Sequence, residues 1–315
     1  MKPYILIPII VGAALLTAGA ILLPIAIVNS SSKAKEVTNE VVLDKSITNF
    51  DFDLDISDLE FKASQDGTSK LVLKESEKMY HEVKVEGETL NVVFHDRREW
   101  HERMFSGFID YKVTAYLPAG EYGDFTLDSD TGDTLIPSGY SFENLNVKMH
   151  TGNFKSSANV KNAIKLESTT GNVRFSEISA KEIDIKSSTG NITLENVNVE
   201  EKIKLKVSTG NVNLTGTKGN DLDANASTGK ITLTNTIISN HILIKASTGD
   251  VKFNDSDAET LNITTSTGDV RGTLLTSKVF YVSSDTGKIN VPKSTEGGLC
   301  EIKTDTGDVN ISIKA

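Results

Sequence analysis

Ser188-Thr189-Gly190-Asn191 returns almost unchanged as Ser208-Thr209-Gly210-Asn211 and again as Ser227-Thr228-Gly229-Lys230. Reading outward from these stretches, a Thr-Gly pair recurs every 19 or 20 residues at ten glycines: Gly132, Gly152, Gly171, Gly190, Gly210, Gly229, Gly249, Gly268, Gly287 and Gly307. A fixed period of this length is typical of repeat proteins, in which each unit packs only against its neighbours. The sequence therefore predicts one long stack of similar turns.

Apolar residues occupy the same positions in every repeat. The residues seven and five before the repeat glycine are apolar in all ten repeats, as Ile183 and Ile185 are before Gly190. The residue two after the glycine is apolar in nine repeats, and Thr134 is the exception. Because alternate residues of a strand share a face, each repeat is predicted to be two short strands joined at the Thr-Gly corner. Stacked copies would bury this face together, which predicts a parallel β-solenoid of about ten 19–20-residue coils.

The corners explain why glycine recurs. We expect each glycine to adopt a positive φ, which a residue with a Cβ resists. The one-residue difference between periods cannot fall inside a half-buried strand face, since it would invert that face. We expect it between Asn196 and Glu201, and in the equivalent segments of other repeats.

The chain before residue 47 is predicted to hold a membrane anchor and a stalk. Residues 1–28 contain an apolar run without a charged side chain from Pro3 to Val28, long enough to cross a hydrocarbon core of about 30 Å. We interpret it as a single transmembrane helix that leaves the bulk of the chain extracytoplasmic. A signal peptide cleaved near Ala18-Gly19-Ala20 is the alternative. Residues 29–46 are predicted to form a flexible stalk, because Asn29 to Glu40 is polar.

Residues 47–120 have the period-two alternation of short strands. Phe50, Phe52 and Leu54 alternate with aspartates, and Glu86-Gly87-Glu88 is a hairpin signal. We predict a small antiparallel β unit that caps the solenoid of residues 121–315. The fold class is therefore all-β, with an N-terminal transmembrane helix.

Charge and cysteine content narrow the function classes. The chain has 33 Lys and Arg against 43 Asp and Glu, a formal charge of −10, which disfavours nucleic acid as a partner. Its one cysteine, Cys300, rules out an intramolecular disulfide and a cysteine-based metal cluster. Cys300 stands seven residues before Gly307, so we predict a buried, unreactive thiol. No cofactor is expected.

The segment from His95 to Met104 is charged and interrupts the strand pattern. Within it, Arg97, Arg98 and Trp100 are candidates for contact with a lipid headgroup or a wall polymer. A metal site built from nearby histidines and carboxylates is a weaker hypothesis, because their spacing matches no strong metal pattern. The residues considered for it are His81, Glu82, His95, Asp96, Glu99, His101 and Glu102.

Several features together resemble the putative-adhesin family of bacterial envelope proteins. They are the Thr-Gly-Asp and Thr-Gly-Asn coils, the lead-in Leu117-Pro118-Ala119-Gly120-Glu121-Tyr122, the preceding β unit and the N-terminal hydrophobic segment. The likeness covers most of the chain beyond about Ile47. It implies a β-solenoid at the envelope, in a family whose members often accompany envelope-stress genes, and it implies no catalytic residues.

Uniform coils without an odd cluster favour a non-enzymatic role. We expect a membrane-anchored envelope binding or scaffold protein, an adhesin or an envelope-stress accessory, with an unidentified envelope ligand or protein as partner. A polysaccharide- or cell-wall-processing β-helix enzyme stays open; it would need paired carboxylates at one place. A self-assembling surface element also stays open, because the chain stops at 310–315 without a capping segment and so leaves an edge for end-to-end self-association.

Overall fold

The computed structural model describes residues 36–44, 46–100 and 109–314, which contain thirty β-strands. Within these ranges no helix combines the length and apolarity needed to cross a membrane. The predicted anchor at 1–28 lies outside the described residues.

Eight strands precede the first repeat corner. They are β1 (Glu36–Leu43), β2 (Asn49–Leu54), β3 (Asp58–Ala63), β4 (Ser69–Ser76), β5 (Met79–Glu86), β6 (Thr89–Asp96), β7 (Lys112–Leu117) and β8 (Gly120–Glu121).

The remaining strands form the repeats. The first eleven are β9 (Asp124–Thr131), β10 (Thr134–Ile136), β11 (Tyr140–Phe142), β12 (Asn144–Thr151), β13 (Phe154–Ser156), β14 (Asn159–Val160), β15 (Ala163–Thr170), β16 (Val173–Ser176), β17 (Ser179–Thr189), β18 (Ile192–Glu195) and β19 (Asn198–Thr209). The others are β20 (Val212–Thr215), β21 (Lys218–Thr228), β22 (Ile231–Thr234), β23 (Ile237–Thr248), β24 (Val251–Ser256), β25 (Thr260–Thr267), β26 (Val270–Leu274), β27 (Lys278–Thr286), β28 (Ile289–Asn290), β29 (Gly298–Thr306) and β30 (Val309–Ile313).

Two long sheets and one short sheet run along the solenoid. Sheet I has the strand order β1-β4-β7-β3-β10-β13-β16-β18-β20-β22-β24-β26-β30-β28. Sheet II has the order β27-β29-β25-β23-β21-β19-β17-β15-β12-β9-β2-β6-β5, and the short sheet joins β14, β11 and β8. The repeat strands pair in parallel, and the predicted inward positions face one continuous core, so the parallel β-solenoid is confirmed.

Each Thr-Gly corner brings two backbones close together. Gly210 has a φ of 145°, and its N–H donates to the carbonyl of Thr228 in the following coil at 2.9 Å. A Cβ on Gly210 would lie 2.0 Å from the carbonyl oxygen of Gly190. The predicted positive φ is confirmed at nine corners, and the close approach is a second reason for glycine.

The residue after the corner glycine forms a ladder between coils. Asn191 donates its backbone N–H to Asn172 Oδ1 at 3.0 Å, and Asn211 donates to Asn191 Oδ1 at 2.9 Å. Asp250 and Asp269 accept in the same way from the residues that follow them in the stack. These side chains therefore hold coil to coil.

A second corner lies six residues after the repeat glycine. Left-handed residues occupy it in five successive coils, with φ between 48° and 60°: Glu177, Asn196, Gly216, Asn235 and Asp255. Asn, Asp and Gly tolerate this conformation better than other residues. This corner is not among the features predicted above, although the recurrence of Asn, Asp and Gly at one position was a usable signal.

The difference between 19- and 20-residue repeats arises in the segment predicted for it, but this segment belongs to a strand. Ala180 pairs with Val199 and Glu182 pairs with Lys202, so β19 holds one extra residue between these pairs. This irregularity places three exposed residues in succession, Glu200 to Lys202, before alternation resumes. The bulge absorbs the insertion without inverting the inward face.

The N-terminal unit corrects two predictions. It is only partly antiparallel, because β2 pairs in parallel with both β6 and β9, and β3 pairs in parallel with β7 and β10. Alternation indicates the buried face of a strand but not the direction of its neighbour. Within the predicted stalk, Glu36–Leu43 forms β1, which pairs antiparallel with β4. Its hydrogen bonds come from a strand remote in sequence, which local polarity does not reveal.

The last two coils are out of sequence order. Strand β29 lies between β25 and β27, and β30 lies between β26 and β28. The final coil in sequence is therefore an inner coil, and β27 and β28 are outermost. This corrects the expectation that the chain end at 310–315 forms the open edge. Cys300, on the inserted β29, is fully buried, as predicted.

Candidate binding surface

A shallow groove crosses the outward face of sheet II. Residues four and two before each corner glycine point outward there, because the intervening residues face the core. Lys148, Glu167, Lys186 and Lys206 occupy the first of these rows and pair in register along β12, β15, β17 and β19. Neighbouring strands are about 4.8 Å apart, so these charges form a closely spaced row.

The groove is polar and locally basic. It encloses about 320 Å³, and its walls contain three lysines against one glutamate. Hydroxyl side chains form the second row, which includes Thr169, Ser188 and Ser208 beside His150. A basic groove on a chain of net charge −10 is a local departure from the overall charge.

Two of the lysines have carboxylate partners. Lys148 Nζ lies 3.0 Å from Asp128 Oδ2, and Lys186 Nζ lies 2.8 Å from Glu167 Oε1. These hydrogen bonds raise the pKa of both lysines, and Lys186 lowers the pKa of Glu167. Lys206 has no such ion pair among the described residues, so its ammonium is available to a ligand.

The face becomes acidic toward its N-terminal end. Asp53 pairs in register with Asp128, and Asp55 lies beside Asp130. Partial burial, and then the neighbouring carboxylate, raises the pKa of Asp53 and that of Asp55. The basic groove is therefore followed, on the N-terminal side of the same face, by an acidic surface.

The predicted contact residues lie away from this groove. Arg97 stacks over the ring of Tyr80 at 4.9 Å, and Arg98 makes a two-pronged contact with Asp96, with both distances 2.9 Å. Trp100 is 73% exposed. These three residues follow β6, which β2 and β9 separate from the groove strands in sheet II.

His81 belongs to a buried relay instead of a metal cluster. Its Nε2 lies 2.9 Å from Ser57 Oγ and its Nδ1 lies 3.0 Å from Glu75 Oε2, while Asn39 donates to the other Glu75 oxygen. Glu82 and His95 face the opposite side of the sheet, where they pair at 3.1 Å. In the described part of the chain, no group of three metal-ligating side chains forms; His101 and Glu102 lie outside it.

The relay has the order of a nucleophile, a base and an orienting carboxylate. However, Ser57 is 2% exposed and the His81 side chain is completely buried, so a substrate would not reach either of them. We assign it a structural role: it connects β1, β4, β5 and the β2–β3 turn. Sequence reasoning missed it because its members come from four separate segments.

The chain belongs to the family described as Toastrack DUF4097. The family model matches residues 47–253 and 240–315, which confirms the resemblance to the putative-adhesin proteins. No curated protein matches the sequence.

Several solved structures are similar to this chain at low sequence identity. A putative adhesin from Parabacteroides merdae is 14% identical with a TM-score of 0.46, over 89% of this chain and 97% of that one. A putative adhesin from Bacteroides fragilis is 14% identical with a TM-score of 0.43, over 90% and 98%. A putative lipid binding protein from Parabacteroides distasonis is 14% identical with a TM-score of 0.44, over 88% and 96%.

Proposed function

We propose that this protein is a membrane-anchored, extracytoplasmic, non-enzymatic binding protein of the cell envelope, which holds an acidic polysaccharide on the outward face of sheet II. Its anchor is the apolar run from Pro3 to Val28, and its place is the cell membrane as a single-pass protein. The family and the uniform coils support a binding role over catalysis.

The groove of sheet II carries the ligand assignment. A row with three ammonium groups and one carboxylate, beside a row of hydroxyls, suits a polymer that offers carboxylates and sugar hydroxyls at regular intervals. The groove is shallow and follows the stack, so it fits a chain lying along several coils better than a compact small molecule. The charge of the remaining surface repels such a polymer, which concentrates binding on this face.

The test is binding of alginate by the full chain in detergent micelles, with neutral dextran as comparison. The double variant Lys186→Glu and Lys206→Glu should bind alginate about five- to tenfold more weakly, since an exposed charge contributes up to about 1 kcal/mol. Lys252→Glu, an exposed lysine on sheet I, is the matched control and should bind normally. Equal binding of dextran, or an equal loss in the control, would contradict the assignment.

Membrane attachment has its own test. The full chain should stay with membranes after an alkaline wash, and deletion of residues 3–28 should release it. Protease added to intact cells should degrade the anchored chain. Release of the undeleted protein would favour the cleaved signal peptide.

A second candidate, a polysaccharide-processing enzyme, is favoured by the carboxylate pairs at the acidic end. A carboxyl of raised pKa beside a second carboxyl resembles the arrangement of a general acid and its partner. Turnover of a glycan, lost in both Asp55→Asn and Asp130→Asn but kept in Asp133→Asn, would establish this candidate. Absence of turnover in the unsubstituted chain would leave the binding role.

A further inference from the structure

At the C-terminal end of the solenoid, apolar side chains of the outermost coil are partly exposed. Because the last coil in sequence is inserted inward, β27 in sheet II and β28 in sheet I have a neighbour on one side only among the strands that the structure describes. Phe280 and Val282 occupy the seven-before and five-before positions of Gly287, yet both are only partly buried, and Ile289 is 47% exposed. In the other nine coils the equivalent residues are buried.

The backbone of β27 is an available edge. A strand without a partner presents unpaired N–H and C=O groups, which proteins usually protect with charged side chains. Lys278 offers no such protection, because it is buried and lies 2.8 Å from Asp257. Asp285 is the remaining charged side chain of β27.

The other end differs in its charge. The edge strands there are β1, which carries Glu36 and Glu40, and β5, which carries Glu82, Lys84 and Glu86. An acidic, charged edge is a poor partner for the nearly uncharged β27. Head-to-tail stacking of two copies is therefore disfavoured.

We propose that β27 and β28 pair with the same strands of a second copy of this chain, tip to tip, around a two-fold axis at Val282 and normal to the sheets. Antiparallel pairing about Val282 places Phe280 opposite Ser284 and Tyr281 opposite Ser283 of the second copy. Inward residues then meet inward residues, and the two cores become continuous.

The charges of β27 fit this arrangement. Asp285 lies opposite Val279 of the second copy rather than opposite another carboxylate, so no like charges face each other. A second copy also supplies two edge strands at the separation of the two sheets, whereas an isolated peptide strand could pair with only one of them. These two points favour a second copy over a foreign segment.

Tip-to-tip pairing defines how two copies of the chain would be oriented at the envelope. If the chain is anchored at its N-terminus, as proposed above, two paired copies point in opposite directions and join facing membranes. This consequence rests on the proposed anchoring, whereas the pairing itself does not.

The test is sedimentation of the full chain in detergent micelles. The unsubstituted chain should show a concentration-dependent dimer, and Val282→Lys should remain a monomer. Val85→Lys, on the exposed edge of β5, is the matched control and should dimerise normally. A monomeric unsubstituted chain, or loss of the dimer in the control alone, overturns the proposal. Circular dichroism identifies an unfolded variant, in which case Tyr281→Glu, at a 64% exposed side chain, replaces Val282→Lys.

A disulfide tests the register. Val282 lies opposite itself across the axis, so Val282→Cys should form an intermolecular disulfide under mild oxidation. The unsubstituted chain, whose Cys300 is buried, and Ser247→Cys on the outward face of sheet II should not. A dimer that does not cross-link at position 282 excludes this register. Alginate binding is measured separately, so a failure here leaves the groove assignment intact.

Discussion

The two ends of the solenoid close the same core in different ways. At the N-terminal end, β1 and β5 add antiparallel strands, and phenylalanines pack edge to face beneath them, as Phe61 does against Phe50 at 5.8 Å between ring centroids. At the C-terminal end, Phe280 and Val282 occupy the inward positions of the repeat but are only partly buried. The stability of a coil therefore depends on the residues that pack over it as well as on its own residues.

The largest expected effect is at a covered corner. Gly210→Val should destabilise the protein by more than about 4 kcal/mol, because the new side chain meets the Gly190 carbonyl and the φ is unfavourable. Gly287→Val should cost less, since the outermost coil can move away. Thr209→Ser is the mild control, and urea unfolding measures all three. Equal losses for Gly210→Val and Thr209→Ser would contradict the corner assignment.

Cys300 tests the inverted coil order. Burial raises the pKa of its thiol to about 12, and β27 covers its strand. We expect native labelling by a thiol reagent at least about 10³-fold slower than labelling in guanidinium, equivalent to about 4 kcal/mol of protection.

The control for this labelling is Phe280→Cys with Cys300→Ser, which should react rapidly in dilute solution, where the chain is monomeric. If the coils followed sequence order, Cys300 would lie in the outermost coil and the two rates would be exchanged.

Truncations at the two ends should differ. Phe61→Ala should cost about 3–5 kcal/mol because it leaves a cavity among buried rings. Phe280→Ala should cost about 1–2 kcal/mol in the monomer, because its side chain is already partly exposed. Thermal unfolding in dilute solution measures both. Similar costs would mean that the C-terminal end is covered in solution.

The smallest expected effect is an increase in stability. Glu177 holds a φ of 58° that costs a non-glycine residue about 1–2 kcal/mol, so Glu177→Gly should raise stability by up to about 1 kcal/mol. Asp255→Gly, nearer the C-terminal end, should gain nothing, because Asp tolerates this conformation better and Asp255 also binds Lys314 at 2.6 Å. A loss of stability in Glu177→Gly would contradict the strain.

Part of the binding surface could be anticipated from the sequence. The outward row that holds Lys186 and Lys206 follows from the same count that places Ile185 and Leu205 inside. The groove between the rows depends on the register and side-chain packing of four coils. For the same reason, the sequence alone suggests that the charges of Arg97 and Arg98 are available to a ligand. In the fold, Tyr80 contacts Arg97 and Asp96 contacts Arg98.

By itself, the sequence determined the period, the Thr-Gly corners and the inward positions, because each is a local rule repeated ten times. Only the tertiary structure decided the parallel pairing of β2 and β3, the buried contact of His81 with Ser57 and Glu75, and the insertion of β29 inside β27. The physical reason is that stacked coils join through backbone hydrogen bonds, which any strand with the right alternation can offer. The order and direction of the strands therefore depend on which arrangement completes the core. The residues of one strand do not determine them.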